Sequence, residues 1–340
     1  MNKRLKTIQI GVEHDHGGVT MESAKKLAHD FEIVAYADPH PEDIVRSNGD
    51  RRFIGDTPIL TVEQALNIDG LDCVIIETHD TKLAKYGKLA ADLGLPMHVD
   101  KPCGTDYASV AKLIDTCKEK NIVFQSGYMY RFNPAVKYAL DAAKKGVLGE
   151  IFSVEAHMDC EHKPEKREWL NSVPGGMMMF LGCHLVDLIL QFAGKPDSIE
   201  CKSCKTGLEE VNSLDYGMAL FNYKNGVSFA KTCAREVGGF GRRQLVVCGS
   251  EATIEIKPLE AYFPDTGDMY TEATIVMHKD TNYNWGIDRK RDLRFGPYDR
   301  YEAMMHEFAQ MVRGEIENPY TYDYEKTLYE CIIKACGLPM

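Results

Sequence analysis

The stretch "IQIGVEHDHGG", residues 8–18, decides the fold of the first part of the chain. Apolar residues lead into a glycine-containing turn and then into helix-forming residues, which is the order of a strand, a turn and a helix. The turn matches the dinucleotide fingerprint only at Gly11, because Glu13 and His16 stand where later glycines belong. Gly17 still allows a pyrophosphate to approach the N-terminus of the following helix. This stretch therefore predicts a weakly marked nucleotide turn beside a parallel strand.

The same alternation continues beyond this stretch. Strand-like runs separated by helical segments occupy residues 8–12, 32–38, 72–78, 96–102 and 121–127. They predict a doubly wound α/β domain over residues 1–125. After residue 150, β-rich runs separated by hairpin turns predict a large, mostly antiparallel open sheet. The second domain, residues 126–340, is therefore expected to be α+β.

Composition narrows the possible partners and compartments. The net charge of -11 disfavours nucleic acid and anionic membranes as partners. The N-terminus lacks a signal-peptide core, and eleven cysteines scattered through apparent strands and helices indicate reduced thiols. The single CxxC, Cys201 to Cys204, has no second pair to complete a zinc site. A cytoplasmic protein with a small-molecule substrate is expected.

A carboxylate and a lysine end two of the predicted strands. Asp38 follows the second strand, where a carboxylate accepts hydrogen bonds from ribose hydroxyls and repels a 2'-phosphate. An ordinary turn residue before proline is the alternative. Lys101 ends a later strand and is followed by Pro102, so its amine is expected to enter the ligand crevice, a surface lysine being the alternative. The charge of Asp38 favours NAD over NADP.

Four motifs extend along most of the chain in a familiar order. They are "HVDKP" (98–102), "QSGYMYRFNPAV" (125–136), "PGGMMMFLGCHLVDL" (174–188) and "NPYTYDYEKTLYECIIKACG" (318–337). In this order they resemble the glucose-fructose oxidoreductase and inositol dehydrogenase family, written Gfo/Idh/MocA. The resemblance implies a Rossmann-type NAD domain, a sugar-like substrate, and dimers or tetramers formed through the open sheet.

The resemblance also implies catalytic roles for Lys101 and His184. Three further positions depart from the family pattern. Asp100 replaces a glutamate, His79 replaces a proline beside the predicted nicotinamide pocket, and Phe180 replaces an aspartate four residues before the histidine. Phe180 removes one substrate contact or proton-relay partner, so the family's role at that position does not carry over.

The predicted site residues form two sets. The cofactor set is Gly11, His14, His16, Gly17, Asp38, Thr78, His79, Asp100 and Lys101. The substrate set is Lys101, Tyr130, Arg131, His157, Asp159, Phe180 and His184. In "EAHMDCEH", strand alternation places His157 and Asp159 on one face, where a polar strand end in solvent is favoured over a metal site. No metal is predicted.

The predicted function is NAD-dependent hydride transfer from a secondary hydroxyl of a sugar, cyclitol or glycoside. His184 would accept the hydroxyl proton and Lys101 would hold the reacting oxygen. Asp187, three residues after His184, is close enough to influence it, although a cap or a structural hydrogen bond is favoured. Two alternatives remain open: a redox-assisted glycosidase that regenerates NAD, and a non-catalytic NAD-sensing regulator.

Overall fold

Two compact units make up the protein. The computed structural model describes residues 3–38, 51–281 and 289–340. Met1–Tyr128 and Tyr301–Tyr329 form the first unit, and Met129–Arg300 and Glu330–Met340 form the second. The segment from Tyr301 to Tyr329 therefore packs with the N-terminal unit, whereas the sequence assigned everything after residue 125 to one substrate domain. The assignment of NAD binding to the first domain and of substrate binding to the second stays a prediction.

The first unit contains a six-stranded sheet in the order β3-β2-β1-β4-β5-β6, and every described pair in it is parallel. Its strands are β1 Leu5–Ile10, β2 Phe31–Ala37, β3 Ile59–Leu60, β4 Cys73–Ile76, β5 Met97–Val99 and β6 Phe124–Ser126. Its helices are α1 Gly17–Lys26, α2 Arg51–Ile54, α3 Val62–Leu66, α4 Leu83–Asp92 and α5 Tyr107–Lys120. The predicted doubly wound sheet is confirmed.

Local chemistry explains where these elements begin. Strand β4 is buried along its whole length, as expected for a central parallel strand covered on both faces. Thr61 and Gln64 form a reciprocal capping box at the start of α3, and Asp106 caps α5 by accepting from the backbone N–H of Ser109. These caps satisfy backbone N–H groups that a helix start leaves without intrahelical partners.

The second unit contains a larger sheet in the order β13-β14-β12-β11-β7-β10-β9-β8, with β15 paired to β14. Its strands are β7 Ile151–His157, β8 Ser198–Cys201, β9 Tyr216–Tyr223, β10 Gly226–Cys233, β11 Gln244–Gly249, β12 Ala252–Ile256, β13 Ala261–Tyr262, β14 Met269–Met277 and β15 Arg291–Tyr298. Its helices are α6 Pro134–Lys144, α7 Pro164–Trp169 and α8 Cys183–Ala193. Among described strands β7 and β10 are the one parallel pair, so the mostly antiparallel sheet is confirmed.

Two helices follow the large sheet, α9 Glu302–Val312 and α10 Tyr322–Ala335. Hydrogen bonds explain why the segment from Tyr301 to Tyr329 belongs to the first unit. The Gln125 amide donates to the Met304 carbonyl at 3.2 Å, and the Ser126 hydroxyl donates to Glu325 at 2.8 Å. Strand β6 is thereby tied to both helices.

Within the described parts of the chain, none of the helices is both long and apolar enough to cross a membrane.

Candidate functional site

The carboxyl ends of β1, β4 and β5 lie side by side in the first unit. Ile10 pairs with Ile76, and Ile76 pairs with Val99, so the residues after these three strands meet at one edge. This edge includes the point where the strand order reverses, which is where open α/β sheets bind ligands. The predicted cofactor residues after all three strands are therefore brought together.

Gly11 begins the turn after β1 with a backbone that disfavours other residues. Its φ is +81°, and a Cβ at this position would lie 2.7 Å from the Thr78 Cγ2. The Gln9 amide donates to the carbonyls of Gly11 at 3.0 Å and of Gly17 at 2.8 Å. A glutamine side chain thus fixes a turn that lacks two of the three fingerprint glycines.

Glu13 is the charge that opposes a phosphate on this turn. In the structure its carboxylate lies 3.2 Å from the Lys82 amine and accepts from the backbone N–H of His79 at 3.1 Å. The first turn of α1 contains no acidic residue. The positive end of that helix is therefore compatible with a pyrophosphate.

A group of charged and imidazole side chains, all of them buried except the partly buried His16, occupies this edge. We call it the Asp100 cluster, and its members are His14, His16, Glu77, Asp80, His98, Asp100 and Lys101. The His14 Nδ1 lies 2.5 Å from the Asp100 Oδ2, and the His16 Nδ1 lies 3.0 Å from the same oxygen. These histidines replace the small residues of an ordinary nucleotide turn with an imidazole and carboxylate network.

Burial and neighbouring charges shift several pKa values in the Asp100 cluster. Burial lowers the pKa of His16 to about 4 despite the attraction of Asp100. Burial raises the pKa of Glu77 well above its ordinary value, and the neighbouring Asp100 carboxylate raises it further. Burial alone would raise the pKa of Asp100, but His14 and His16 hold it well below the ordinary range. The two carboxyl groups are therefore shifted in opposite directions, Glu77 towards its neutral form and Asp100 towards its ionised form.

Lys101 and Asp38 stand at separate strand ends of the same sheet. Lys101 follows β5 and its side chain is fully buried, which excludes a surface lysine. Asp38 follows β2, and its Oδ2 accepts from the Tyr36 hydroxyl at 2.9 Å. His79 is half-buried, with its Nδ1 3.0 Å from the Thr81 hydroxyl. The roles predicted for these residues stay predictions.

In the second unit, His184 lies in the first turn of α8 and is 1% exposed. A π-helical turn, Met178–Gly182, precedes the helix, and such turns are frequent at functional sites. The Tyr130 ring meets the His184 ring edge-on at 5.0 Å between centroids. Phe180, within the π-helical turn, is buried and packs edge-on against Trp169 at 5.3 Å. His184 therefore has an aromatic environment.

Tyr130 belongs to a second buried network. Its hydroxyl donates to Glu260 and accepts from Arg243 at 3.1 Å. Glu260 also lies 2.5 Å from both the Arg243 and the Arg300 guanidinium groups. Burial favours a raised pKa for Glu260, but the two guanidinium groups outweigh it and lower the pKa. Burial, together with Glu260, raises the pKa of Tyr130 and keeps the phenol neutral.

Arg131 and Asp187 form a buried ion pair. The Arg131 Nη2 lies 2.7 Å from the Asp187 Oδ1, and its Nε donates to the Asp187 Oδ2 at 3.0 Å. Gln191 also donates to Asp187 at 2.9 Å. Asp187 thus makes the structural hydrogen bonds favoured from the sequence. Substrate binding by Arg131 stays a prediction beside this structural contact.

The strand that carries "EAHMDCEH" ends at His157. Val154 and Ala156 are buried, whereas Glu155 and His157 are half-buried on the opposite face, as alternation predicts. Asp159, beyond the strand, lies 2.8 Å from the Lys231 amine. This ion pair gives Asp159 a structural partner.

Sequence reasoning missed several functional candidates. In the first unit Glu77 and His98 were not predicted as site residues, although Glu77 lies in the strand-like run 72–78 and His98 in "HVDKP". Glu260, Arg243 and Arg300 were overlooked in the second unit, because they come from separate strands and loops. The position of Glu77 directly after β4, level with Asp100 after β5, is the signal that strand order would have supplied.

Comparison with known proteins finds a family model and several relatives that match parts of the chain. Residues 136–255 match the family model described as the GFO/IDH/MocA C-terminal domain. An uncharacterized oxidoreductase of Escherichia coli, YhhX, is 28% identical over 138 residues, which cover 41% of this chain and 40% of YhhX. D-xylose 1-dehydrogenase (NADP(+)) 2 of Haloferax volcanii is 28% identical over 147 residues, which cover 42% of this chain and 45% of that enzyme. The chain spans less than half the length of both relatives.

A solved structure matches the fold over nearly the whole chain. An oxidoreductase from Agrobacterium radiobacter, in complex with NAD+, L-tartaric acid and magnesium, superposes with a TM-score of 0.78. The match covers 97% of this chain and 94% of that one at 14% identity, so it shows the fold alone. Residues 136–255 thus match the C-terminal domain of the GFO/IDH/MocA family, the family that the motifs of this chain resemble.

Proposed function

We propose that this protein is an NAD-dependent oxidoreductase that removes hydride from a secondary hydroxyl of a sugar, cyclitol or glycoside. The observation that carries the proposal is the fully buried Lys101 at the carboxyl edge of the first sheet, beside the buried Asp100. A buried lysine at a ligand-binding edge is suited to bind a developing oxyanion. The xylose dehydrogenase among the relatives supports a sugar-like substrate.

Asp38 and the first turn fit a dinucleotide. The turn offers the N-terminus of α1 to a pyrophosphate, and Lys82 offsets the Glu13 charge. Asp38 stands at the end of β2, where ribose hydroxyls bind, and its charge disfavours a 2'-phosphate. NAD is therefore the proposed cofactor, in contrast to the NADP named for the xylose dehydrogenase.

The proposed chemistry divides between two side chains. Bound NAD would supply the hydride acceptor. His184 would take the proton of the substrate hydroxyl, because hydride leaves a carbinol carbon only as that proton is removed. Lys101 would hold the reacting oxygen and stabilise its negative charge. Tyr130 and His157 are proposed to contact the substrate.

The activity is tested by incubating the full chain with NAD and a panel of sugars, cyclitols and glycosides. NADH absorbance and products are followed together. A dehydrogenase forms NADH and a carbonyl product in equal amounts. NAD binding without turnover of any panel member would favour the regulator instead.

A redox-assisted glycosidase is the second candidate, supported by aromatic side chains before α8. The partly exposed Trp169 meets the buried Phe180 edge-on, and the Lys166 amine lies 3.7 Å from the Trp169 ring centroid. The exposed part of the indole ring suits contact with a sugar or an aromatic aglycone. Release of free aglycone with NAD regenerated would identify this activity in the same panel.

Self-association through the open sheet is also proposed. Phe152 on β7 is 47% exposed and Val227 on β10 is 46% exposed. Exposed apolar residues on neighbouring strands favour burial against a second copy. Light scattering at micromolar concentration should give at least twice the chain mass, and a monomer would contradict the proposal.

A further inference from the structure

We propose that His14, His16 and Asp100 bind a divalent transition-metal ion of the zinc class. The sequence predicted no metal, and the inference does not rest on the proposed oxidoreductase activity. Imidazole nitrogens and a carboxylate oxygen are the donors that such ions prefer. Two histidines with one carboxylate leave a coordination position for water or another oxygen ligand.

The three donor groups already converge. One ligand atom from each residue lies within 4.8 Å of the others, and the two imidazole Nδ1 atoms are 2.5 and 3.0 Å from the Asp100 Oδ2. Donors around a tetrahedral ion with bonds of about 2.0 Å are roughly 3.3 Å apart. To admit the ion, the Asp100 Oδ2 would have to move away from the His16 Nδ1 by about 0.3 Å and from the His14 Nδ1 by about 0.8 Å.

A second observation is the charge buried around these donors. Glu77, Asp80 and Asp100 are each at most 1% exposed, whereas Lys101 is the cluster's buried ammonium group. Three carboxyl groups thus share the cluster with one lysine amine. Buried charge that lacks a partner of opposite sign is costly. A divalent ion would add positive charge beside these carboxyl groups.

The surroundings of His14 also fit a metal ligand. Its Nδ1 faces Asp100, while its Nε2 lies 3.8 Å from the Asp80 Oδ1. Neither this Asp80 oxygen nor the two Glu77 carboxylate oxygens have a hydrogen-bond partner among the described residues. A carboxylate behind the distal nitrogen of an imidazole is the usual support for a metal-binding histidine. Asp80 would orient His14, and Glu77, 3.9 Å from the His14 Nδ1, lies close to the proposed ion.

The first unit contains a second group of two histidines and an aspartate, with which the proposed metal site can be compared. His29, Asp30 and His306 form the other such group within the described residues. There the Arg313 Nη1 already lies 2.9 Å from the Asp30 Oδ1, and both histidine side chains are largely exposed, at 68% and 43%. A guanidinium already compensates Asp30. This second group is therefore expected not to hold an ion and provides the control.

The test is titration of the chelator-treated full chain with Co2+, because cobalt reports its donors by absorption. One Co2+ per chain should bind and give weak d–d bands without thiolate-to-metal charge transfer. His16→Ala and His14→Ala should each weaken binding at least about 10-fold, the range for loss of a ligand or its support. The control His29→Ala/His306→Ala should bind as the native chain does.

Three outcomes would overturn the proposal: no binding, equal binding by the His16→Ala protein, or a thiolate charge-transfer band that disappears in Cys204→Ser. If His14→Ala fails to fold, metal binding is measured with His16→Gln instead, because His16 is only partly buried. Calorimetric NAD titration of the same samples keeps the two proposals separate. Metal binding without NAD binding refutes the proposed function alone, and the reverse refutes the metal site alone.

Discussion

Both units bury charged side chains, but they compensate them differently. In the second unit, Asp187 forms an ion pair with the Arg131 guanidinium group, and Glu260 contacts two guanidinium groups. In the first unit, the carboxyl groups of the Asp100 cluster outnumber its amine. A compensated buried pair is explained by folding alone. An uncompensated cluster at the ligand-binding edge of a sheet points to a bound group or to chemistry.

The largest effect is expected from breaking a compensated pair. Asp187→Asn leaves the buried Arg131 guanidinium without its carboxylate, so the free energy of unfolding should fall by about 3–5 kcal/mol. Chemical denaturation measures this loss. The exposed Asp197→Asn should change stability by less than about 0.5 kcal/mol. Equal effects of the two changes would show that the buried pair is not structural.

Replacement of His184, the proposed general base, tests whether the site in the second unit is catalytic. His184→Ala should lower turnover by roughly 100-fold while NAD affinity is retained, because general base catalysis is lost. Steady-state kinetics with the substrate found in the panel measures the effect. His278→Ala, on an exposed turn, is the control and should keep native turnover. A folded His184→Ala protein with near-native turnover would refute the assignment.

Cofactor choice should shift by a smaller amount. Asp38→Ser removes the carboxylate that repels a 2'-phosphate, so the ratio of NAD to NADP affinity should fall about 10-fold, and an added arginine nearby should lower it further. Calorimetric titration with both nucleotides gives the ratio. An unchanged ratio would mean that Asp38 is only a turn residue.

The smallest expected effect is a change in how steeply the free energy of unfolding depends on pH. The pKa of Glu260 is lowered in the folded state, so its contribution to stability is present above the ordinary carboxyl pKa and is lost as the pH falls. Glu260→Gln lacks this contribution. Between about pH 5 and about pH 3 the variant should lose less stability than the native chain. Parallel slopes would contradict compensation of Glu260 by the guanidinium groups.

Much of the first unit was predictable because parallel strands leave a strong pattern. The strands that carry Asp38 and Lys101 were located from apolar runs. Strand β3 was missed, since two residues, Ile59 and Leu60, carry no periodicity. Strand order was also beyond the sequence pattern, and it is strand order that brings His14 beside Asp100 across β1, β4 and β5.

In the second unit seven of the nine described strands were predicted, whereas β13, β15 and the buried partners were not. Glu260 contacts Tyr130, Arg243 and Arg300, which are far apart along the chain. Their association depends on the packing of several strands, and no local spacing encodes it. The return of Tyr301–Tyr329 to the first unit was missed for the same reason.

The most direct test of the central claim is a Lys101→Met variant, measured for NAD binding and turnover in one folded sample. The change keeps an apolar stem of similar length and removes the amine from the Asp100 cluster. The account predicts native-like NAD affinity with turnover reduced by roughly 100-fold or more, because the reacting oxygen loses its cationic partner. A folded variant that binds NAD and keeps near-native turnover would contradict the claim.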